Sequence, residues 1–147
     1  MDSSLVGRTV SLQISKQSRQ PMTKVESATF VVGSGMEGDR HATSSAGRRD
    51  NQVLLMDEET LKELDLDHGT IKENVTSSGI DVASLKAGQR LALGDEVVLR
   101  ISRACAPCSH MNDIRPGLRE ELKGRRGMLA SVAQGGMVRV GDPIRLL

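Results

Sequence analysis

Two cysteines, Cys105 and Cys108, form a Cys-Ala-Pro-Cys motif in the last third of this 147-residue chain. A cysteine thiolate is a nucleophile, an acceptor for a persulfide sulfur and a ligand for soft metals. Cys108 lies in an irregular segment after a predicted strand, where functional residues often lie. Arg103 and the Arg125–Arg126 pair would favour the thiolate if the fold brings them close. We therefore expect Cys108 to be the reactive centre, against the alternative of a buried and inert thiol.

The same motif allows two other interpretations. A dithiol redox protein would use both cysteines, but thioredoxin-type chemistry places the first cysteine at the start of a helix, and no strand–helix–strand unit precedes this one. A zinc site would need two further ligands, and the spacing supplies only half of a structural site. The candidate zinc ligands are Cys105, Cys108, His110 and either His41 or His68.

Three further segments carry groups that suit an anionic or polar ligand. Glycines at positions 33, 35 and 38 precede Arg40 and His41, and glycine lets a ligand approach the backbone while arginine offers a planar fork to phosphate. Lys72 and Asn74 lie in a segment rich in amide and hydroxyl groups, which could hydrogen-bond a heterocycle. Arg125 and Arg126 lie between two glycines. Each segment by itself is equally typical of a solvated loop.

The composition excludes several classes of function. The chain carries 20 basic and 19 acidic residues, so it lacks the strong positive field of nucleic-acid-binding proteins. Phe30 is the only aromatic residue, so no base-stacking platform is available. No apolar run could span a membrane, and the first residues do not resemble a signal peptide. We expect neither a nucleic-acid nor a membrane partner, and a reducing, cytoplasmic location for the two cysteines.

Alternating and β-branched segments predict a mainly β fold. Val10, Leu12 and Ile14 alternate with Ser11, Gln13 and Ser15, which predicts a half-buried strand. Further strands are predicted over 28–32, 52–56, 90–93, 96–102, 128–133 and 138–147, with a two-residue turn at Gly94-Asp95 and an interruption at Pro143. Short helices are predicted over 58–64, capped by Asp57, and over 116–124.

Many short strands with two small helices predict one domain, residues 1–147, folded as a closed or partly closed β-barrel. Segments 33–50, 67–84, 103–115 and 124–127 are left as irregular loops. If these loops gather at one rim of the barrel, they form the functional site.

Taken in order, several pieces of the chain resemble the MOSC domain, the carboxy-terminal domain of molybdenum cofactor sulfurases. The resemblance covers nearly the whole chain and depends on order and spacing more than on any one motif. The matching pieces are Pro21-Met22, Gly35–Ala42, Gln52–Met56 with Glu58 or Glu59, Lys72–Val75, Gly79–Asp81, Leu85–Gly88, Cys108, Gly127 and Gly136–Asp142.

This resemblance implies a MOSC-type barrel that binds a molybdenum or tungsten cofactor, or carries sulfur for it. Cys108 matches the family cysteine as catalytic residue and molybdenum ligand, by thiolate or persulfide. The candidates to hold the anionic molybdopterin are Arg40, His41, Lys72, Asn74, Arg125 and Arg126. In relatives that reduce N-hydroxylated compounds, electrons come from a flavin or iron–sulfur donor; a molybdoenzyme is the other expected partner.

The chain also departs from the family pattern. Lys72 stands where many relatives have arginine, which keeps the charge but loses the bidentate fork. The chain lacks the aminotransferase-like domain of the sulfurases, so no pyridoxal phosphate is expected in it. It also lacks the partner barrel of the mitochondrial reductases and the carboxy-terminal extension of longer bacterial members. A dithiol redox protein and a non-catalytic binding barrel remain as alternatives.

Overall fold

The described residues of the computed structural model, 5–17, 20–40 and 52–147, form a mainly β fold. Helices are short and lie between strands: α1 (Glu58–Glu63), α2 (Met111–Ile114) and α3 (Leu118–Glu121), with a single 3-10 turn at Val82–Ser84. The strands are β1 (Leu5–Ile14), β2 (Thr23–Val25), β3 (Ser27–Val31), β4 (Gly35–Met36), β5 (Val53–Asp57), β6 (Val75–Ser78), β7 (Arg90–Leu93), β8 (Val97–Ala104), β9 (Met128–Gln134), β10 (Gly136–Arg139) and β11 (Pro143–Leu146).

Seven of these strands close into a barrel, as the sequence predicts. Their order is β11-β7-β8-β9-β5-β6-β1, and β1 returns to pair with β11, so that Leu5 lies opposite Arg145. β2 extends the sheet beside β1, and a separate three-stranded sheet has the order β10-β3-β4. All pairs are antiparallel except β5–β6, in which Leu55 lies opposite Val75. Closure removes the open edges that would otherwise attract other chains.

The barrel core consists mainly of aliphatic side chains from the inward faces of the strands. Leu12, Leu55, Leu99 and Ile101 are fully buried in it, and Phe30 is 1% exposed. Leu12, Leu99 and Ile101 are inward positions that alternation predicts for β1 and β8. The polar face of β1 is different: Ser11, Gln13 and Ser15 are also buried, although the sequence predicts a half-buried strand. Neighbouring loops cover that face and hydrogen-bond to it.

A second, smaller core lies under the three helices. Its members are Met56, Leu61, Leu64, Ile71, Met111, Leu118 and Leu122. Asp57 caps α1 as predicted, its carboxylate accepting a 2.9 Å hydrogen bond from the Thr60 N–H. The predicted helix over 116–124 is wrong at both ends: Gly117 takes a left-handed conformation, so α3 begins only at Leu118, and it ends at Glu121. Leu118 and Leu122 are nevertheless the buried pair.

Three boundaries also differ from the sequence predictions. The β7–β8 connection has three residues, not two, because Leu93 pairs with Val97. The side chain of Glu96 instead accepts a hydrogen bond from the Met137 N–H. β4, β6, α2 and the 3-10 turn lie in segments predicted to be irregular. Val138 to Leu147 divides into β10 and β11, with Pro143 opening the second strand. Among the helices of the described residues, none has the length and apolarity needed to cross a membrane.

Candidate functional site

One cleft brings together a residue from each of the four segments predicted to be irregular. It has a volume of about 630 Å³, and its walls include Arg40, Lys72, Cys108 and Arg126. Three of these four side chains are cationic, and Asp113 contributes a carboxylate to the same wall. The strand order of the barrel causes this meeting, because the four segments are far apart along the chain. The cleft therefore combines a thiol with an excess of positive charge.

Cys108 lies exposed at this cleft, on a loop between β8 and α2. Its carbonyl oxygen accepts a 3.1 Å hydrogen bond from the Met111 N–H, which starts the turn that becomes α2. The Met111 side chain is 3% exposed and packs in the small helical core. The loop is therefore anchored on one side of Cys108 while the thiol itself faces the solvent.

Cys105 has a different environment. It is half-buried, and its N–H donates a 2.9 Å hydrogen bond to the Gly127 carbonyl oxygen. It lines a smaller cleft of about 280 Å³ together with Arg125 and Arg126, whereas Cys108 lines the larger one. The two cysteines therefore line different clefts, and Arg126 lines both.

Arg126 is the most unusual side chain of the cleft. It is only 7% exposed, yet its Nε and Nη1 atoms have no hydrogen-bond partner among the described residues. Gly127 fixes the backbone beside it, with a φ of +113° and its Cα close enough to β5 that an added Cβ would lie 2.7 Å from the Leu55 oxygen. A buried guanidinium usually has its donors satisfied, because an unpaired buried charge is costly. Arg126 thus presents two buried donor nitrogens that no described residue accepts.

Lys72 and Arg40 are placed by backbone contacts. Lys72 has a φ of +71°, an uncommon conformation for a residue with a side chain. Its N–H donates to the Gly69 oxygen at 3.0 Å, and its ammonium group donates to the Gln20 oxygen at 2.7 Å. The Arg40 N–H donates to the Ser15 oxygen at 2.7 Å, while its side chain is exposed. Both cations are held on the cleft wall by their main chains.

Glu73, which the sequence analysis did not single out, is fully buried behind Lys72. Its Oε2 accepts hydrogen bonds of 2.8 Å from the Gly69 N–H and from the Thr76 hydroxyl, while Oε1 has no partner among the described residues. Burial raises the pKa of the Glu73 carboxyl above its usual value of 4.5. Hydrogen bonds from Gly69, Thr76 and its own backbone, and the charge of Arg126, oppose this rise only in part. Nothing in the local sequence marks this glutamate as buried.

We expect Glu73→Gln to remove a pH dependence from the stability of the fold. Because the folded-state pKa of Glu73 is raised, its contribution to the free energy of unfolding is complete below pH 4.5. This contribution is lost as the pH rises through the folded-state pKa. Glutamine keeps the shape without the buried charge, so the variant should gain about 1–3 kcal/mol over wild type at neutral pH. Urea unfolding of both proteins across this range measures the difference, and a constant offset at every pH would contradict it.

The other predicted site residues lie outside this arrangement. Arg125 donates to the backbone carbonyl oxygen of Glu121 at 3.0 Å and forms an ion pair with the Glu63 carboxylate at 3.1 Å. Its guanidinium therefore lies against the helices. Asn74 is 4% exposed, with its side-chain amide hydrogen-bonded within the protein. His41 lies outside the described residues. The structure therefore brings Arg40, Lys72 and Arg126 to Cys108, but not Arg125 or Asn74.

Asn74 connects three parts of the fold, so Asn74→Ala should destabilise it. Its Oδ1 accepts from the Leu54 N–H at 3.0 Å, and its Nδ2 donates to Gln13 and Asp39 at 3.2 and 3.3 Å. Alanine leaves these buried groups unpaired, at a cost of about 2–3 kcal/mol in the free energy of unfolding. Asn112→Ala is the control, since exposed Asn112 makes one such bond, to the Arg119 N–H. Equal losses in both variants would contradict this role.

The donor chemistry of the cleft suits a large anion with a soft metal better than a metal ion held by protein ligands alone. Among the described residues, no group of three or more His, Cys, Asp and Glu side chains is arranged to hold a metal ion. Cys108 can supply one sulfur ligand, and the three cations can bind oxygen anions. The remaining metal ligands would have to come from the bound molecule itself.

Comparisons with known proteins place this geometry in context. The family model described as the MOSC domain matches residues 40–145. This range includes Arg40, Lys72, Cys108 and Arg126 and all strands from β5 to β10. A comparison with curated protein sequences finds no match.

Several solved structures share the fold. The YuaD protein from Bacillus subtilis superimposes with a TM-score of 0.81 at 20% identity, covering 99% of this chain and 98% of that one. YiiM from Geobacillus stearothermophilus gives a TM-score of 0.71 at 18% identity, over 98% of this chain and 74% of that one. YiiM from Escherichia coli gives 0.70 at 19% identity, over 95% and 69%.

Proposed function

Because this chain belongs to the MOSC domain family, we propose that it binds a pterin cofactor of molybdenum or tungsten, with Cys108 as the sulfur ligand. The family is associated with the molybdenum cofactor. The metal in such a cofactor is already held by dithiolene sulfurs, so one further soft thiolate from the protein is chemically suitable. Exposure of the Cys108 thiol in a cationic cleft supports this assignment.

The observation that carries the proposal is the buried guanidinium of Arg126, which lies on the wall of the cleft that contains Cys108. Its Nε and Nη1 atoms have no acceptor among the described residues. A protein tolerates such a group when a ligand satisfies it, and phosphate oxygens match the planar fork of arginine. The pterin cofactor carries a phosphate group, so an anion at Arg126 and a metal near Cys108 are compatible with a single ligand.

Each side chain then has a distinct task. Arg126 binds an oxygen anion deep in the cleft, and Lys72 and Arg40 add positive charge at its walls. Cys108 presents its sulfur at the mouth. Asn74 and Arg125 support the fold around the site rather than contact the ligand, given their bonds within the protein. When bound, the cofactor supplies a metal centre suited to oxygen-atom and sulfur chemistry.

The thiol arrangement supports a single reactive cysteine over a dithiol pair. Cys105 lines the smaller cleft and Cys108 the larger one. We propose that Cys108 either ligates the metal or carries a sulfane sulfur to it, in a reducing compartment such as the cytoplasm, where a thiol stays available. The bound cofactor would then be delivered to, or used with, a partner protein.

The test is to purify the protein from cells that make the cofactor and to measure bound molybdenum, tungsten and oxidised pterin per polypeptide. We expect pterin and one of the two metals in similar molar amounts. Protein that carries neither above the level of an unrelated cytoplasmic protein from the same cells would overturn the proposal.

A second assay separates a carrier from a reductase. A reductase would convert an N-hydroxylated base to the free base and water, using two electrons and two protons. Reduced viologen can supply the electrons without a natural partner. Cofactor-loaded protein that binds but shows no turnover with this donor is a carrier, which is the version we favour.

A further inference from the structure

Cys108 and Arg126 lie on segments that leave the same end of the β8–β9 ladder. Ala104, the last residue of β8, lies opposite Met128, the first residue of β9. Arg126 precedes Met128 by two residues, and Cys108 follows Ala104 by four. An N–H of the loop that carries Cys108 also donates to the Gly127 oxygen at 2.9 Å. Strand pairing and this bond hold the two segments together, and both side chains line the larger cleft.

The two side chains present different chemistry to one space. The Cys108 side chain is exposed, and its sulfur is a soft nucleophile as the thiolate. Arg126 is 7% exposed, and its Nε and Nη1 atoms have no acceptor among the described residues. Such donors match the oxygens of a compact anion. A molecule that satisfies both side chains carries oxygen anions at one end and an electrophilic sulfur at the other.

The charges of the cleft favour a small dianion over a neutral sulfur compound. Lys72 and Arg40 line the wall together with Arg126, and Asp113 contributes one carboxylate. Three cations against one carboxylate leave an excess of two positive charges. This excess raises the local concentration of a dianion and does nothing for an uncharged persulfide. The volume of about 630 Å³ also leaves room for such an anion beside Cys108.

We infer that the cleft takes sulfur from a sulfur oxyanion that bears a sulfane sulfur, of which thiosulfate is the simplest, and that Cys108 receives this sulfur as a persulfide. The inference rests on the proposed function, because it uses the anion subsite at Arg126 and the sulfur-carrying role of Cys108. It adds the chemical class of the sulfur donor and a sulfurtransferase activity that needs no bound cofactor.

The transfer is a displacement at sulfur. The Cys108 thiolate attacks the sulfane sulfur of thiosulfate, so that a new S–S bond forms as the S–S bond of thiosulfate breaks. Sulfite leaves with the bonding electron pair, and no proton or external electron is needed. Arg126 holds the oxygens and stabilises the charge that develops on the leaving sulfite. The outer sulfur of the persulfide then passes to a soft nucleophile such as cyanide, which gives thiocyanate and restores the thiolate.

The test uses the full chain, purified from cells that cannot make the pterin cofactor so that the cleft is free of it. Thiosulfate should add one sulfur atom to the protein, located on Cys108 by fragment-ion sequencing, and cyanide should remove it as thiocyanate. Cys108→Ser should do neither. Cys105→Ser makes the same change on a side chain that lines the smaller cleft, and it should match wild type. Absence of uptake in wild type, or equal uptake in Cys108→Ser, would overturn the inference.

Arg126→Met tests the oxyanion subsite. We expect the KM for thiosulfate in the thiocyanate assay to rise at least about 30-fold, because a buried, charge-assisted contact is lost. Alkylation of Cys108 by neutral iodoacetamide should change far less. Arg126→Lys should recover part of the loss, since lysine keeps the charge without the fork. Arg125→Met should change the KM by less than about threefold, and equal effects of the two methionine variants would remove Arg126 from the subsite.

Sulfate separates anion binding from sulfur transfer. It has the oxygens of thiosulfate but no sulfane sulfur, so it should leave Cys108 unmodified and inhibit thiocyanate formation competitively with thiosulfate. Inhibition that excess thiosulfate does not relieve would place the anion outside the reacting site and overturn the role of Arg126.

Failure of this inference differs visibly from failure of the proposed function. Protein that carries pterin when made in cofactor-producing cells, but takes up no sulfur from thiosulfate when made without the cofactor, would refute the sulfur donor alone. Protein that forms the Cys108 persulfide but never carries pterin or metal would refute cofactor binding and support the inference.

Discussion

Cys108→Ser is expected to bind roughly tenfold less metal than wild type, or less still, while part of the pterin remains bound. A serine hydroxyl stays protonated at neutral pH and is a hard, weak ligand, whereas a thiolate is a soft one. The pterin should be retained in part because the cations of the cleft are untouched by the change. Metal analysis and pterin fluorescence on the same purified sample measure the two losses separately.

Cys105→Ser is the matched control for this experiment. It makes the same chemical change three residues away, on a half-buried side chain that lines the smaller cleft. We expect near wild-type metal and pterin content. Equal losses of metal in the two variants would contradict a single reactive cysteine and would favour the dithiol hypothesis. Unchanged metal in Cys108→Ser would remove Cys108 as the ligand.

Local sequence patterns were sufficient for the strands that pair with their neighbours in the chain. β7 and β8 alternate along Leu91, Leu93, Val97 and Leu99, and a short turn joins them, so the pattern and the connection agree. The barrel follows from many such segments. The capping of α1 by Asp57 was predictable for the same reason, since a cap and its helix lie within a few residues.

β6 could not be predicted because its partners lie elsewhere in the chain. Thr76 and Ser77 are fully buried between β5 and β1, where alternation would require apolar residues on one face. Gln13 and Glu73 satisfy the Thr76 hydroxyl inside the protein. A polar strand of this kind is indistinguishable from a loop until the long-range contacts are known.

The candidate site shows the same division. The types of residue that could do chemistry were evident, including Cys108 and the cations Arg40, Lys72 and Arg126. Whether they meet depends on the strand order. The sequence favours Cys108 over Cys105 through its resemblance to the family pattern, but it could not distinguish Arg126 from Arg125. Burial distinguishes the two arginines: Nε and Nη1 of Arg126 are enclosed with no acceptor among the described residues, whereas Arg125 pairs with Glu63.

Arg126→Met should make the protein more stable and a poorer binder at the same time. Methionine fills a similar volume and removes a buried charge whose Nε and Nη1 donors have no acceptor among the described residues. Removing the desolvation cost of these unsatisfied donors should stabilise the fold by about 1–3 kcal/mol in the free energy of unfolding. Losing a buried, charge-assisted contact should weaken anion binding by at least about 2 kcal/mol, or roughly 30-fold in affinity. Urea unfolding measures the change in stability. Sulfate affinity and the amount of retained pterin measure the change in anion binding.

Arg125→Met separates this effect from a general loss of positive charge. It removes the same charge from the adjacent position, but Arg125 forms an ion pair with Glu63 and donates to the Glu121 carbonyl oxygen, and it does not line the larger cleft. We expect its affinity for sulfate to change by less than about threefold, an effect of screened charge alone, and its stability to fall slightly. A gain in stability together with a loss of affinity indicates that the arginine serves the ligand. Replacing an arginine that supports the fold would lower both stability and affinity. If Arg126→Met proves less stable than wild type and still retains pterin, the guanidinium is part of the scaffold and the anion subsite lies elsewhere.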